Sequence, residues 1–206
     1  GFTKDEVFSA LEKCSLAPTA RAEELFSEKS ITAAEIDRAY KALMQRKQNI
    51  VLIGMPSAGK STVGRAAAEK LGRSFFDSDE LAAALAGKSI AGIFAQGGEA
   101  AFRKAEAEAA ELLAKQSGAV IATGGGTVLS PKNMELLRQN GRIYYINRPF
   151  CELSAGGGRP LSQTPEQLLR LFDERKPLYE KYCDSVISSC ASAEETAAAL
   201  LEDFLK

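Results

Sequence analysis

The feature that most constrains this chain is a glycine-rich segment between an apolar run and a helical pattern. Residues 54–61, GMPSAGKS, match G-x-x-x-x-G-K-[ST] in full and directly follow the apolar run 50–53. Glycines let backbone amides curve around phosphates, and a helix N-terminus adds unpaired N–H groups. A glycine-rich turn with a chance lysine is the alternative, which the flanking strand and helix disfavour. The segment therefore predicts a P-loop whose nucleotide-binding residues are Gly54, Ser57, Ala58, Gly59, Lys60, Ser61 and Thr62.

Strand-like and helical patterns alternate after residue 48. The strand-like runs are 50–53, 74–76, 119–122, 142–146 and 185–187. Helical patterns separate them at about 62–71, 79–86, 89–117, 131–139, 165–180 and 193–205. This alternation predicts an α/β fold with a parallel sheet flanked by helices.

The first 47 residues have a different pattern. Thr3 with Glu6, and Thr32 with Glu35, fit the capping box that starts a helix. A polar stretch, 45–49, then resembles a linker. We therefore predict a helical extension over residues 1–47 and an α/β domain over residues 48–206.

Composition excludes several classes of function. The chain has 206 residues, 45% apolar, with a formal net charge of −1, which argues against binding nucleic acid or a membrane surface. It has no histidine, so Ser-His-Asp and Cys-His mechanisms are excluded. Four scattered cysteines, no signal peptide and no long apolar run predict a cytoplasmic protein with reduced thiols.

Two carboxylates, Asp77 and Asp79, follow the second predicted strand. In open parallel sheets, ligands bind beyond the carboxyl ends of the strands. We expect Asp77 to hold Mg²⁺ through a water molecule, and Asp79 to anchor and deprotonate a hydroxyl group. The alternative is a solvated helix cap, the usual role of an isolated Asp-Ser-Asp.

Candidates for acceptor binding lie further along the chain. Arg103 is suited to bidentate binding of a carboxylate, and Glu106 can orient it from the same helical face. The glycines Gly124, Gly125 and Gly126 end the central strand and permit close approach of a ligand. An exposed ion pair and a plain turn are the respective alternatives. No Walker-B aspartate ends this strand, so a metal would rely on Ser61 and Asp77.

Two more arginines are candidates for binding anionic groups. Arg159 follows three glycines, 156–158, and suits a mobile lid that stabilises charge on a transferring phosphoryl group. Arg175 lies near the end of a predicted helix, where an ordinary basic helix end is the alternative. Together with Lys60 and Asp79, Arg159 completes the predicted catalytic set.

Six segments in this order resemble the shikimate kinase family over nearly all of residues 48–206: GMPSAGKST, FFDSDE, IFAQGGEAAFRKAE, ATGGGTV, GRPLS and ERKPLYEKYCD. The resemblance implies a five-stranded parallel sheet, ATP and Mg²⁺, and phosphorylation of the 3-hydroxyl of shikimate. It also implies that Lys60 and Ser61 serve phosphate and magnesium and that Asp79 holds the reacting diol. Arg103 and Arg175 would bind the carboxylate, the three glycines would line the substrate cavity, and Arg159 would act from the lid.

The chain departs from the family pattern in two places. The segment 151–158 is shorter than the usual lid and lacks an extra arginine, which Arg148 could replace. Residues 20–36 loosely resemble the C-terminal helices of shikimate dehydrogenase, which would indicate a fused or neighbouring pathway enzyme. The alternative is a small helical appendage. We expect a monomer.

Three rival functions remain open from the sequence. One is a P-loop kinase for gluconate or a nucleoside monophosphate, and another is a nucleotide-binding module that is catalytically impaired. The third is a helical interaction protein whose function resides in residues 1–47. Substrate-dependent release of ADP separates the first two from a shikimate kinase, and deletion of residues 1–47 tests the third.

Overall fold

The computed structural model describes residues 3–13, 33–155, 161 and 163–206. The chain divides into two compact units, residues 1–48 and 49–206. In the first unit, α1 (Lys4–Lys13) begins directly after Thr3, and α2 (Ala33–Lys47) follows. Arg46 donates a hydrogen bond of 2.7 Å from α2 to the Ser9 hydroxyl on α1. The predicted cap at Thr32 lies outside the described residues.

The second unit is built on a five-stranded sheet in the order β2-β3-β1-β4-β5, with every neighbouring pair parallel. The strands are β1 (Asn49–Ile53), β2 (Phe75–Asp77), β3 (Val120–Ala122), β4 (Gly141–Asn147) and β5 (Ser185–Ser188). All five residues of β1 are buried because this strand is central and covered on both faces. The expectation that the strand before Gly124 is the central one is therefore wrong, since β3 lies beside β1. The predicted five-stranded parallel sheet is confirmed.

Helices connect the strands. They are α3 (Lys60–Leu71), α4 (Ser78–Ala86), α5 (Ile90–Leu113), α6 (Pro131–Arg138), α7 (Pro165–Tyr182) and α8 (Ala193–Phe204), with short 3₁₀ turns at Thr127–Leu129 and Phe150–Glu152. Helix α3 packs against α8, and α4 packs against α5. In the described parts of the chain, none of these helices is long and apolar enough to cross a membrane.

Each predicted element of this unit is present, and the differences occur at element ends. Helix α5 contains one non-helical residue, Gly98, with φ of 64° and ψ of −163°, so it is two helical segments joined at a kink. Helix α7 runs through Pro177 and ends at Tyr182, two residues beyond the predicted end. Arg175 is buried within this helix, so the alternative of an ordinary basic helix end is wrong.

The parallel arrangement brings four strand ends to one edge of the sheet. Gly54 follows β1, Asp77 ends β2, Thr123 follows β3, and Arg148 comes directly after β4. Because parallel strands share a direction, residues that are distant in sequence meet at this edge. The candidate site lies here.

Candidate active site

Backbone geometry shapes the loop between β1 and α3. Gly54 has φ of +146°, and a Cβ there would lie 2.7 Å from the carbonyl oxygen of Ile146 on β4. Gly59 has φ of +87° and precedes the first residue of α3. Side chains are disfavoured at both positions, which explains why the loop needs glycine there. The loop therefore places the amides at the start of α3 toward the edge of the sheet.

The Lys60 side chain is buried within this loop. Its Nζ donates hydrogen bonds of 2.9 Å and 2.8 Å to the carbonyl oxygens of Gly54 and Met55. A buried ammonium is tolerated because these carbonyl oxygens accept hydrogen bonds from it. The geometry holds a positive charge at the base of the loop.

A cavity of about 460 Å³ opens beside the loop. It contains backbone from the start of α3, hydroxyl groups, two carboxylates and two cationic side chains. Its lining residues are Pro56, Ser57, Gly59, Lys60, Ser61, Thr62, Asp77, Asp79, Thr123, Gly125 and Arg148. Residues from all four strand ends thus surround one polar space.

Asp77 makes two kinds of contact at the cavity wall. Its Oδ2 accepts a 2.6 Å hydrogen bond from the Ser61 hydroxyl. Its Oδ1 accepts hydrogen bonds from the amides of Asp79 and Glu80, which caps helix α4. The helix-cap alternative is therefore correct for Asp77, and the second oxygen still lies beside Ser61. Two hard oxygen donors face the cavity together.

Asp79 has an unusual environment. Its Oδ1 is buried and accepts no hydrogen bond from any residue that the structure describes. Burial raises the pKa of this carboxyl to about 6, with a further increase from the neighbouring Asp77 and a decrease from Lys60. Burying a carboxylate oxygen without a hydrogen-bond donor costs free energy, and such a group in a cavity indicates a functional site.

The turn after β3 approaches this carboxylate closely. A Cβ on Gly124 would lie 2.3 Å from Asp79 Oδ1 and 3.1 Å from Glu106 Oε1. The amide of Gly124 donates a 2.8 Å hydrogen bond to the Ser78 hydroxyl, which fixes the turn against the start of α4. Any side chain at position 124 would displace Asp79.

Arg103 is held by two acids on its own helix. Its Nη1 donates to Glu106 Oε2 at 2.8 Å, and its Nη2 donates to Glu99 Oε1 at 2.8 Å. Glu106 is buried, and its other oxygen accepts a 2.8 Å hydrogen bond from the Thr127 hydroxyl. A Cβ on Gly126 would lie 2.3 Å from Arg103 Nη1. The guanidinium therefore packs on the glycine turn, and the exposed-pair alternative is wrong.

Arg175 lies on helix α7, which contacts the same glycine turn. It is buried, and its Nε has no hydrogen-bond partner among the described residues. One turn later, the Tyr179 hydroxyl donates a 2.6 Å hydrogen bond to the Gly125 carbonyl. A Cβ on Gly125 would lie 2.8 Å from the Pro56 side chain of the P-loop. The glycine turn thus connects α7 with the nucleotide-binding loop.

The structure brings most of the predicted site residues to one edge of the sheet. Arg159 and glycines 156–158 lie outside the described residues, so the lid stays a prediction. Three residues that hold the glycine turn and the neighbouring acids in place were not predicted from the sequence: Ser78, Thr127 and Tyr179. Their one sequence signal is position, since each lies next to or within a predicted motif.

The sheet is parallel, and a P-loop follows its central strand. Together with a carboxylate beside the loop whose Oδ1 has no described hydrogen-bond partner, this arrangement defines a P-loop phosphotransferase. The family model for shikimate kinase matches residues 56–205. The shikimate kinase of Thiobacillus denitrificans is 40% identical over 153 residues, covering 71% of this chain and 84% of that protein. That of Nitrosomonas europaea is 40% identical over 148 residues, covering 68% of this chain and 70% of that protein. This chain belongs to the shikimate kinase family.

A solved structure agrees with this assignment. The shikimate kinase from Acinetobacter baumannii in complex with shikimate superposes with a TM-score of 0.74 at 34% identity. The match covers 80% of this chain and 97% of that one. The predicted kinase fold and the family resemblance are confirmed. The resemblance of the N-terminal segment to a dehydrogenase stays a prediction.

Proposed function

We propose that this chain transfers the γ-phosphoryl group of ATP to the 3-hydroxyl of shikimate. The observation that carries this proposal is the buried Asp79 carboxylate, which has no described partner for Oδ1 and lines the same cavity as the P-loop. A carboxylate with a pKa of about 6 is mostly ionised at neutral pH and is a suitable proton acceptor.

The nucleotide would bind in the P-loop, since the family is one of kinases. The amides from Gly59 to Thr62 at the start of α3 would bind phosphate oxygens, and Lys60 would neutralise their charge. A divalent metal fits the paired oxygens of Ser61 and Asp77, which lie 2.6 Å apart. Mg²⁺ prefers such hard oxygen ligands, and when bound it would neutralise phosphate charge.

The acceptor would bind beside the glycine turn, in contact with the two arginines. Arg103, oriented by Glu106 and Glu99, and the buried Arg175 would bind its carboxylate. Asp79 would accept a hydrogen bond from the acceptor hydroxyl. Gly124, Gly125 and Gly126 would allow the ring to lie close to the backbone.

The transfer step follows from this placement. The hydroxyl oxygen attacks the γ-phosphorus and the bond to the β,γ-bridging oxygen breaks, so ADP leaves with the bridging electron pair. The hydroxyl proton passes to Asp79 Oδ1. Lys60 and the amides of the loop stabilise the charge that develops on the transferring group and on the leaving oxygen. Arg159 would add charge from the lid.

A coupled ADP-release assay tests the proposed function. Shikimate, gluconate and AMP are offered separately with ATP and Mg²⁺, and we expect release with shikimate alone. The Lys60→Ala variant, prepared identically, controls for contaminating kinases and should be inactive because transfer depends on electrostatic positioning. Release of ADP with gluconate or AMP but not with shikimate would overturn the proposed acceptor.

A further inference from the structure

Arg148 occupies a position at the P-loop that the proposed mechanism does not use. It is the first residue after β4. Strand β4 pairs with β1, and the P-loop directly follows β1. Because both strands run in the same direction, a long side chain after β4 extends toward the loop that follows β1. A Cβ on Gly59 would lie 3.9 Å from Arg148 Nη1, and Arg148 lines the cavity.

The segment after Arg148 is tied to the P-loop. The Ser57 hydroxyl donates a 2.7 Å hydrogen bond to the Ser154 carbonyl. Glu152, four residues after Arg148, places a carboxylate oxygen 3.3 Å from Arg148 Nε. That nitrogen is buried without a well-aligned hydrogen bond to any described residue. The two contacts keep the backbone and the guanidinium beside the loop.

The charges in the cavity indicate what Arg148 could bind. Lys60 and Arg148 are the cations among the described lining residues, and Asp77 and Asp79 are the acids. Lys60 lies at the base of the loop, where its Nζ contacts the carbonyls of Gly54 and Met55. Arg148 is on the side of Gly59, at the start of α3. A planar guanidinium in this position matches the geometry of phosphate oxygens.

We infer that Arg148 is a binding residue for the phosphate chain of the nucleotide, which it contacts from the Gly59 side of the P-loop. The inference rests on the proposed function for the identity of the nucleotide. It assigns to the residue directly after β4 a positive charge close to the phosphates that does not depend on the lid. Stacking of the guanidinium on the base is the competing role, and the experiment separates the two.

Calorimetric titration of two probes tests the inference. One probe is a non-hydrolysable ATP analogue, and the other is inorganic tripolyphosphate, which has the charges of the phosphate chain and no base. We expect Arg148→Ala to weaken both by about 10- to 100-fold, since a charge-assisted contact is lost. Arg148→Lys keeps the charge without the planar fork and should recover part of the affinity.

Arg142→Ala is the matched control. Arg142 lies in β4 near its beginning, whereas Arg148 directly follows its end. The two side chains have similar exposed fractions, 31% and 35%, and each is paired with an acid. The control variant should leave both affinities within about twofold. Thermal melting of each variant establishes that it is folded.

The outcomes separate the hypotheses. An unchanged affinity of Arg148→Ala for tripolyphosphate would overturn the inference, and loss for the ATP analogue alone would assign the side chain to the base. If the wild-type chain binds tripolyphosphate through Arg148 but does not phosphorylate shikimate, the proposed acceptor fails and the Arg148 assignment stands.

Discussion

Replacing Asp79 with asparagine should make the fold more stable and abolish phosphorylation. Burial raises the pKa of this carboxyl from its ordinary value of 3.8 to about 6. The folded chain therefore holds a proton that the unfolded chain releases between these pH values, so wild-type stability falls as the pH rises from about 4 to about 6. Asparagine cannot ionise, so the variant avoids this loss.

The size of the gain follows from the two pKa values. A difference of about 2.2 between them corresponds to about 3 kcal/mol at pH 8, where Asp79 is ionised in both states. At pH 5 the unfolded carboxyl is mostly ionised and the folded one is mostly protonated, which reduces the gain to roughly 1.6 kcal/mol. Below about pH 4 the gain should approach zero.

Urea denaturation at pH 8 and pH 5 measures both values. Asp173→Asn is the control, since it neutralises an exposed aspartate on α7 and should change stability by less than about 0.5 kcal/mol. In the ADP-release assay, Asp79→Asn should lose at least about 100-fold in turnover because its proton acceptor is absent. A variant less stable than wild type at pH 8, or equally stabilised at both pH values, would refute the reasoning.

Two further predictions concern the glycine turn. Gly124→Ala places a Cβ 2.3 Å from Asp79 Oδ1, so turnover measured by ADP release should fall by about 100-fold, and an unchanged rate would contradict this geometry. Tyr179→Phe removes the 2.6 Å hydrogen bond to Gly125, so the fold should lose about 1 kcal/mol in urea denaturation and the KM for shikimate should rise more than that for ATP. Tyr145→Phe is its control, because the buried Tyr145 hydroxyl has no partner among the described residues, and an equal loss in both variants would exclude a specific role for the Tyr179 bond.

Local pattern was sufficient to predict the elements of the α/β unit. Apolar runs such as Ile50–Ile53 indicate strands covered on both faces, and helical periodicity indicates the connections. The P-loop was equally predictable, since its chemistry depends on a contiguous segment in which two glycines have special backbone angles. The differences occur at helix ends, as in α7, which ends at Tyr182, two residues beyond the predicted end.

Sequence motifs indicated which residues are candidates for acceptor binding. Most contacts of these residues could not be predicted, because they depend on the tertiary fold. Arg103 and Glu106 are three residues apart on one helix, so their pairing follows from helical geometry. That Glu106 also binds the Thr127 hydroxyl depends on how α5 packs beside the turn after β3. The same holds for Tyr179, whose hydroxyl reaches a carbonyl 54 residues earlier in the chain.

The sequence alone determined that a phosphate-binding loop follows a buried strand, because glycine freedom and the amides of a helix N-terminus act over a few neighbouring residues. Tertiary structure alone decided the strand order β2-β3-β1-β4-β5, and with it which side chains face that loop. Strand order depends on packing between distant segments, which no local pattern records. The raised pKa of Asp79 and the position of Arg148 beside Gly59 both follow from that order.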